Sequence, residues 1–203
     1  MQAFKFRSLR TFSFVADILV SQRLYCCKSE VLNDVREADY REGYWQGGRE
    51  WDLFVQEVHA ELSTLRICSL TATINNHLLW AHYADGYTGV AIEVDVNEQS
   101  ITPVRYDDEP AALVTFWQCR GTRKRRAIAA ARAILSRKYH EWKHEEELRL
   151  FSKSDYALLS DAPRRVIVGC RTQPSMVQEL LVLFQERDIR LERMVVAVGH
   201  SSC

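Results

Sequence analysis

The sequence predicts an α+β fold: a single domain over residues 1–203, built on a mixed or mainly antiparallel sheet with flanking helices. Three observations predict it. Segments with strand period and segments with helix period are interspersed along the chain. The early strands read as hairpins or meanders rather than as strands joined by crossover helices. The chain has 203 residues, of which 47% are hydrophobic and 27% charged, which suits one domain with a real core.

The elements follow in order. In Ala3 to Arg7, Phe4 and Phe6 alternate with Lys5 and Arg7, which predicts a short strand with a basic outer face. Thr11 to Val20 reads as a helix and Arg23 to Cys27 as a second strand. Lys28 to Gly48 is polar, rich in turn residues and long for a simple connection, as functional loops often are. Trp51 to Ser63 is helical, and Thr64 to Leu70 is a strand. Asn76 to Ala84 is a short helix closed by the Asp85-Gly86 turn, and Gly89 to Asp95 alternates as a strand with which Ile101 to Tyr106 is expected to pair. A long helix is expected from Thr122 to Trp142, with Ile128, Ala131, Leu135, Tyr139 and Trp142 as its apolar stripe. Glu147 to Phe151 and Arg165 to Val168 are strands, Pro174 to Glu186 is a helix with Pro at its start, and Met194 to Val198 is a terminal strand.

Charge excludes some function classes. The 27 Lys and Arg residues balance 27 Asp and Glu, which disfavours a uniformly basic nucleic-acid binder. The balance is uneven along the chain. Glu30 to Glu61 holds nine acidic and three basic residues, whereas Arg120 to Lys138 holds eight basic residues and no acidic one. There is no run of 18 apolar residues, so no membrane span is expected. Six cysteines without a C-x-x-C, and no export signal, fit a reducing cytoplasm, with Cys68 and Cys170 as core thiols.

Four segments could carry chemistry. His140-Glu141-Trp142-Lys143-His144 matches H-E-x-x-H, which on an α-helix sets two histidines one turn apart for zinc, as in a metallohydrolase. No third ligand stands at a persuasive spacing, so no metal site is expected. The basic segment, with Arg123-Lys124-Arg125-Arg126 at its head, could face nucleic-acid phosphates, or serve as a solvated helix face. In Glu145-Glu146-Glu147-Leu148-Arg149, a strand beginning near Glu147 would put Glu145, Glu147 and Arg149 on one face. Crowded carboxylates there would raise one pKa, which suits a general base, or stabilise a cationic transition state; simple pairing on a sheet is the alternative. Trp80, His82, Tyr83 and Tyr87 gather aromatic groups at a helix end, either as a cleft wall for a flat ligand or as a buried cluster.

Several stretches, taken in order, resemble a mostly bacterial family, the domain-of-unknown-function family 2971. They are Lys5-Phe6-Arg7-Ser8, Asn33-Asp34, Cys68-Ser69-Leu70, Leu79-Trp80-Ala81-His82-Tyr83-Ala84-Asp85 with Gly89-Val90, Val104-Arg105-Tyr106, and Trp142-Lys143-His144-Glu145-Glu146-Glu147-Leu148-Arg149-Leu150. The family pattern after the second strand is like N-D-P-F-E, whereas this chain has Asn33-Asp34-Val35-Arg36-Glu37. The layout is also similar to that of ADP-ribosyltransferases, a likeness at the level of fold. Glu145 and Glu147 resemble their late E-x-E, Lys5 and Arg7 the first-strand element, and Ser69 or Tyr83 the middle one. The resemblance implies NAD as a co-substrate, in a toxin or defence effector, with Glu147 and Glu145 catalytic. Lys5, Arg7, Ser69, Trp80, His82, Tyr83 and Arg149 would bind the nucleotide, and Asn33 and Asp34 would complete the cleft.

Overall fold

The computed structural model describes residues 1–32, 34, 38–42 and 48–195. In chain order the strands and helices begin with β1 (Gln2–Arg7), α1 (Phe12–Leu19), β2 (Arg23–Tyr25), β3 (Tyr40–Arg41), α2 (Gly48–Thr64) and β4 (Arg66–Thr71). Next come α3 (His77–Tyr83), β5 (Val90–Asp95), β6 (Ile101–Pro103), β7 (Arg105–Tyr106), β8 (Ala111–Ala112), α4 (Leu113–Trp117) and α5 (Arg123–Ile134). The last are β9 (Arg137–Lys138), β10 (Glu147–Ser152), β11 (Tyr156–Leu158), β12 (Arg165–Val168), α6 (Pro174–Phe184) and β13 (Arg190–Arg193). This is the expected α+β mixture. The backbone forms two compact units: Met1–Leu24 with Leu70–Val96 and Leu158–Cys203, and Tyr25–Ser69 with Asn97–Ala157.

The first unit is built around β1 and β5, antiparallel from Gln2 opposite Asp95 to Arg7 opposite Val90. β12 lies antiparallel on the other edge of β5, and β13 parallel to β12, so the sheet is mixed and mainly antiparallel. Among the described residues the last strand is Arg190–Arg193, beginning four residues before the expected start; residues 196–198 of the expected strand lie outside the described residues. α3 starts where Asn76 caps it, its side chain accepting from the Leu78 and Leu79 N–H groups. Its buried face brings Leu79, Trp80 and Ala84 against Phe6, Ala91 and Ile167. Two glycines set the spacing of this core. A Cβ on Gly89 would lie 2.3 Å from the Arg7 carbonyl oxygen, and one on Gly169 would lie 2.0 Å from that of Tyr87. Only a residue without a side chain lets the backbones meet there.

The second unit packs α2 against α5. Trp51, Phe54 and Val58 of α2 meet Ala127, Ala130 and Ile134 of α5, and Leu113 of α4 joins them. Small residues on α5 allow the large α2 rings close approach. β10 pairs antiparallel with β6, Arg149 opposite Thr102, and β7 runs parallel to β9, Arg105 opposite Arg137. Ile101–Tyr106 thus divides between two partners, β10 and β9, instead of pairing with Val90–Asp95 as one strand.

The long helix expected over Thr122–Trp142 is the main correction. α5 ends at Ile134, and its buried face is Ala127, Ala130, Ala131 and Ile134. Leu135 caps it, Arg137–Lys138 becomes a strand, and His140–Glu145 is a 3-10 helix. Pairing with β7, including the Arg105 N–H donating to Ser136 O at 2.8 Å, outweighs the local preference for helix. Cys68 is buried as expected, but Cys170 is only half-buried.

Candidate functional site

The second unit holds four charged side chains that the fold removes from water. Lys138, Glu145, Glu147 and Arg149 are all buried, and Arg149 is 0% exposed. They reach the cluster from three different local structures. Lys138 ends β9, Glu145 ends the 3-10 helix, and Glu147 and Arg149 alternate on β10. Between the two glutamates, Glu146 takes a left-handed conformation, φ 45° and ψ 46°. That turn, not strand alternation, brings Glu145 in.

Lys138 Nζ donates to Glu145 Oε2 at 2.6 Å and lies 3.1 Å from Glu147 Oε2. Arg149 grips Glu147 with two bonds, Nε to Oε1 at 2.9 Å and Nη2 to Oε2 at 3.3 Å, the fork geometry a guanidinium favours. Its Nη1 donates to the Leu135 carbonyl at 2.5 Å, tying β10 to the end of α5. The Glu147 backbone N–H donates to Tyr106 Oη at 2.7 Å. Lys138 Nζ also sits 4.9 Å from the centre of the Trp142 ring.

Two positive and two negative charges neutralise one another, and the balance decides the titration. Burial pushes the Glu147 carboxyl up, but the charges of Arg149 and Lys138, with hydrogen bonds from Arg149 and Ser69, outweigh it and hold it at about 2. The raised carboxyl expected from crowded glutamates is thus reversed at Glu147, because the fold inserts cations among them. A carboxylate that weakly basic does not serve as a general base near neutrality. Burial pushes the Tyr106 phenol up to about 12; its hydrogen bond with the Glu147 backbone opposes this, and the Glu147 and Glu145 charges add to it.

Lys138 and Arg137 also line a shallow surface depression, together with Asp39, Asp107, Asp108 and Glu109. The Glu109 backbone N–H, then Arg105 and Arg137, lower the Asp107 carboxyl. Asp108 accepts from the His140 N–H at 3.3 Å.

Of the residues the sequence nominated, this unit brings Ser69, Glu145, Glu147 and Arg149 together. Asp34 is half-buried in the same unit, and Asn33 lies outside the described residues. Lys5, Arg7, Trp80, His82 and Tyr83 belong to the first unit. There, Lys5 and Arg7 are half-buried on β1, and the Arg7 guanidinium lies 5.0 Å from the Phe14 ring centre. Trp80 cannot wall a cleft. It is 0% exposed, meets Phe6 edge-on at 5.0 Å, stacks on Tyr87 at 6.5 Å and donates its Nε1–H to the Ile74 carbonyl at 2.9 Å. The buried-cluster reading holds for it, while His82 is exposed and Tyr83 half-buried.

The basic segment is largely committed inside the unit. Arg123 bonds Glu57 at 2.9 Å and Glu50 at 3.0 Å, so the acidic and basic stretches meet at the α2–α5 contact. Arg126 lies over the Trp117 ring at 4.4 Å and Arg132 over Phe151 at 5.6 Å, and Arg137 bonds Asp107 at 3.3 Å. Lys124 and Arg125 stay exposed. His140 and His144 share a 3-10 helix, in which residues four apart are about 120° out of line rather than stacked on one face. His144 Nδ1 is engaged with the Glu141 carbonyl at 2.9 Å, and no group of three metal-ligating side chains occurs among the described residues.

Sequence reasoning missed Lys138, which it placed on a helix face, and Trp142, which it placed in an apolar stripe. The spacing from Lys138 to Glu145 carries no signal until the helix is known to end at Ile134. Residues 79–150, from α3 to β10, match a family model described as Protein of unknown function (DUF2971). The protein resembles the DUF2971 family. The match takes in about a third of the chain, including Trp80, Tyr106, Lys138 and the whole Glu145–Arg149 run of the charge cluster. No curated protein and no solved structure matches the chain, so the likeness to ADP-ribosyltransferases gains no support from these comparisons. Across the DUF2971 segment, the sharpest concentration of chemistry is the buried cluster centred on Glu147.

Proposed function

We propose that the protein is an enzyme with ADP-ribosyltransferase-like chemistry, breaking the nicotinamide–ribose bond of NAD at the Glu147 cluster. The observation that carries this reading is a buried carboxylate held ionised, at about 2, by Arg149 and Lys138. Cleavage of this bond passes through an oxocarbenium-like ribose. The C1′–N bond breaks with its electron pair going to the nicotinamide nitrogen, which neutralises the ring. Water or a target nucleophile then adds to C1′ and loses a proton. A fixed, ionised carboxylate stabilises the positive charge that grows on the ribose without having to accept a proton. Lys138 holds that place in the resting protein, and a cationic substrate would replace it between Glu145 and Glu147. The depression beside Lys138 is lined by Asp39, Asp107, Asp108 and Glu109 as well as Arg137, a mainly acidic surface that suits the positively charged nicotinamide ring.

One observation favours a second reading, a non-catalytic module in which the cluster is structural. Each of the four charges has a partner inside the cluster, and none of the residues is more than 5% exposed. Incubation with NAD, with nicotinamide release followed by chromatography, separates the two. The catalytic reading expects release by the native protein and loss of release in Glu147→Gln. No release by the native protein, or equal release by the variant, overturns it in favour of the structural reading.

A further inference from the structure

We propose that Cys26 and Cys68 form an oxidation site, a cross-strand disulfide made when a small peroxide reaches the second unit. The inference is independent of the chemistry proposed at Glu147.

The register carries it. Cys27 and Ile67 form an antiparallel bridge and exchange both backbone bonds, the Cys27 N–H to Ile67 O at 2.9 Å and the Ile67 N–H to Cys27 O at 2.7 Å. The bridge is isolated; one step beyond it, Cys26 and Cys68 hold the positions that a continuing antiparallel ladder would make a non-hydrogen-bonded pair. Directly opposite residues of a ladder project to the same face, which would set both thiols on the face away from Cys27 and Ile67. Cα atoms of non-hydrogen-bonded pairs stand about 4.5 Å apart, within the range of about 4.4–6.8 Å that a disulfide spans. Hydrogen-bonded neighbours such as Cys27 and Ile67 set side chains farther apart. Cys26 and Cys68 are both buried, at 0% and 1% exposed, and both are thiols in this structure.

The reaction balances with one peroxide. One thiolate attacks the O–O bond, giving a sulfenic acid and, with the thiol proton, one water. The second thiol attacks that sulfur. The S–S bond forms, and the sulfenic oxygen leaves with the remaining proton as a second water. The two cysteines lose two electrons, and the peroxide gains them. Burial makes the reaction slow. The bond would close the loop from Cys26 to Cys68, which includes all of α2 and the acidic stretch.

Peptide mapping of the full chain tests this. The protein is treated with hydrogen peroxide, alkylated and digested with trypsin without reductant. The expected product joins Leu24–Lys28 to Ile67–Arg105. The first peptide contains both Cys26 and Cys27, so Cys27→Ser is run in parallel. The cross-link is expected in the native protein and in Cys27→Ser. The oxidised form should melt roughly 10 °C higher, and reductant should reverse the shift. Absence of the cross-link while exposed Cys119 is oxidised, or its loss in Cys27→Ser, overturns the assignment. Both outcomes are read on proteins that retain Cys26 and Cys68, so folding of a core variant does not enter.

Discussion

Replacing Glu147 by Gln removes one carboxylate from the buried cluster and leaves two cations facing Glu145 alone. The carboxyl sits at about 2 in the folded protein against an ordinary 4.5. Each pKa unit corresponds to about 1.4 kcal/mol, so the ionised form is worth about 3 kcal/mol to the fold. A folded pKa below the unfolded one gives stability that is complete above about pH 4.5 and lost as pH falls through 2. At pH 7, Glu147→Gln is therefore expected to lower unfolding free energy by about 3–5 kcal/mol, the usual cost of leaving buried charge uncompensated. Between pH 5 and pH 2 the native protein loses about 3 kcal/mol of stability that the variant never had, so the gap between them closes. Denaturant titration of both proteins at pH 7, 5, 4, 3 and 2 measures it. A gap that stays constant with pH, or one below about 1 kcal/mol at pH 7, refutes the account of Glu147 as a cluster-stabilised carboxylate.

The same structure sets further outcomes. Tyr106→Phe removes the oxygen that accepts the Glu147 N–H and should cost about 1–3 kcal/mol by denaturant titration. In the native protein one tyrosine should stay un-ionised through pH 10–11 in an absorbance titration, because Tyr106 titrates at about 12; stability from this group is lost as pH rises above 10. Trp80→Ala empties a fully buried site and should cost about 3–5 kcal/mol in the same assay, and Gly169→Ala should lower the melting temperature sharply because the new Cβ meets the Tyr87 carbonyl. Arg123→Ala should lower the melting temperature modestly, with the difference shrinking in high salt, while Lys124→Ala leaves it unchanged.

The sequence by itself determined the α+β class and most of the element positions. Alternation gave β1 and β5 to within a residue, and β10 and β12 were placed as closely, although β5, β10 and β12 turn out to be buried on both faces. It also put Glu147 and Arg149 on one face of β10, and flagged Trp80 as a possible core residue. Period and propensity are local, and they stopped where partners distant in sequence decide. The run from Thr122 to Trp142 reads as one helix until β7 claims Arg137 and Lys138, and only then does Lys138 turn inward. The sign of the Glu147 shift was equally out of reach. Neighbouring glutamates predict repulsion, whereas the fold sets Lys138 and Arg149 within 3.1 Å of that carboxylate. The local charge imbalance is settled in the same way. The acidic and basic stretches are visible in the chain, but only the packing of α2 on α5 joins Arg123 to Glu50 and Glu57. Charges interact through space, and spacing along the chain fixes distance only within an element.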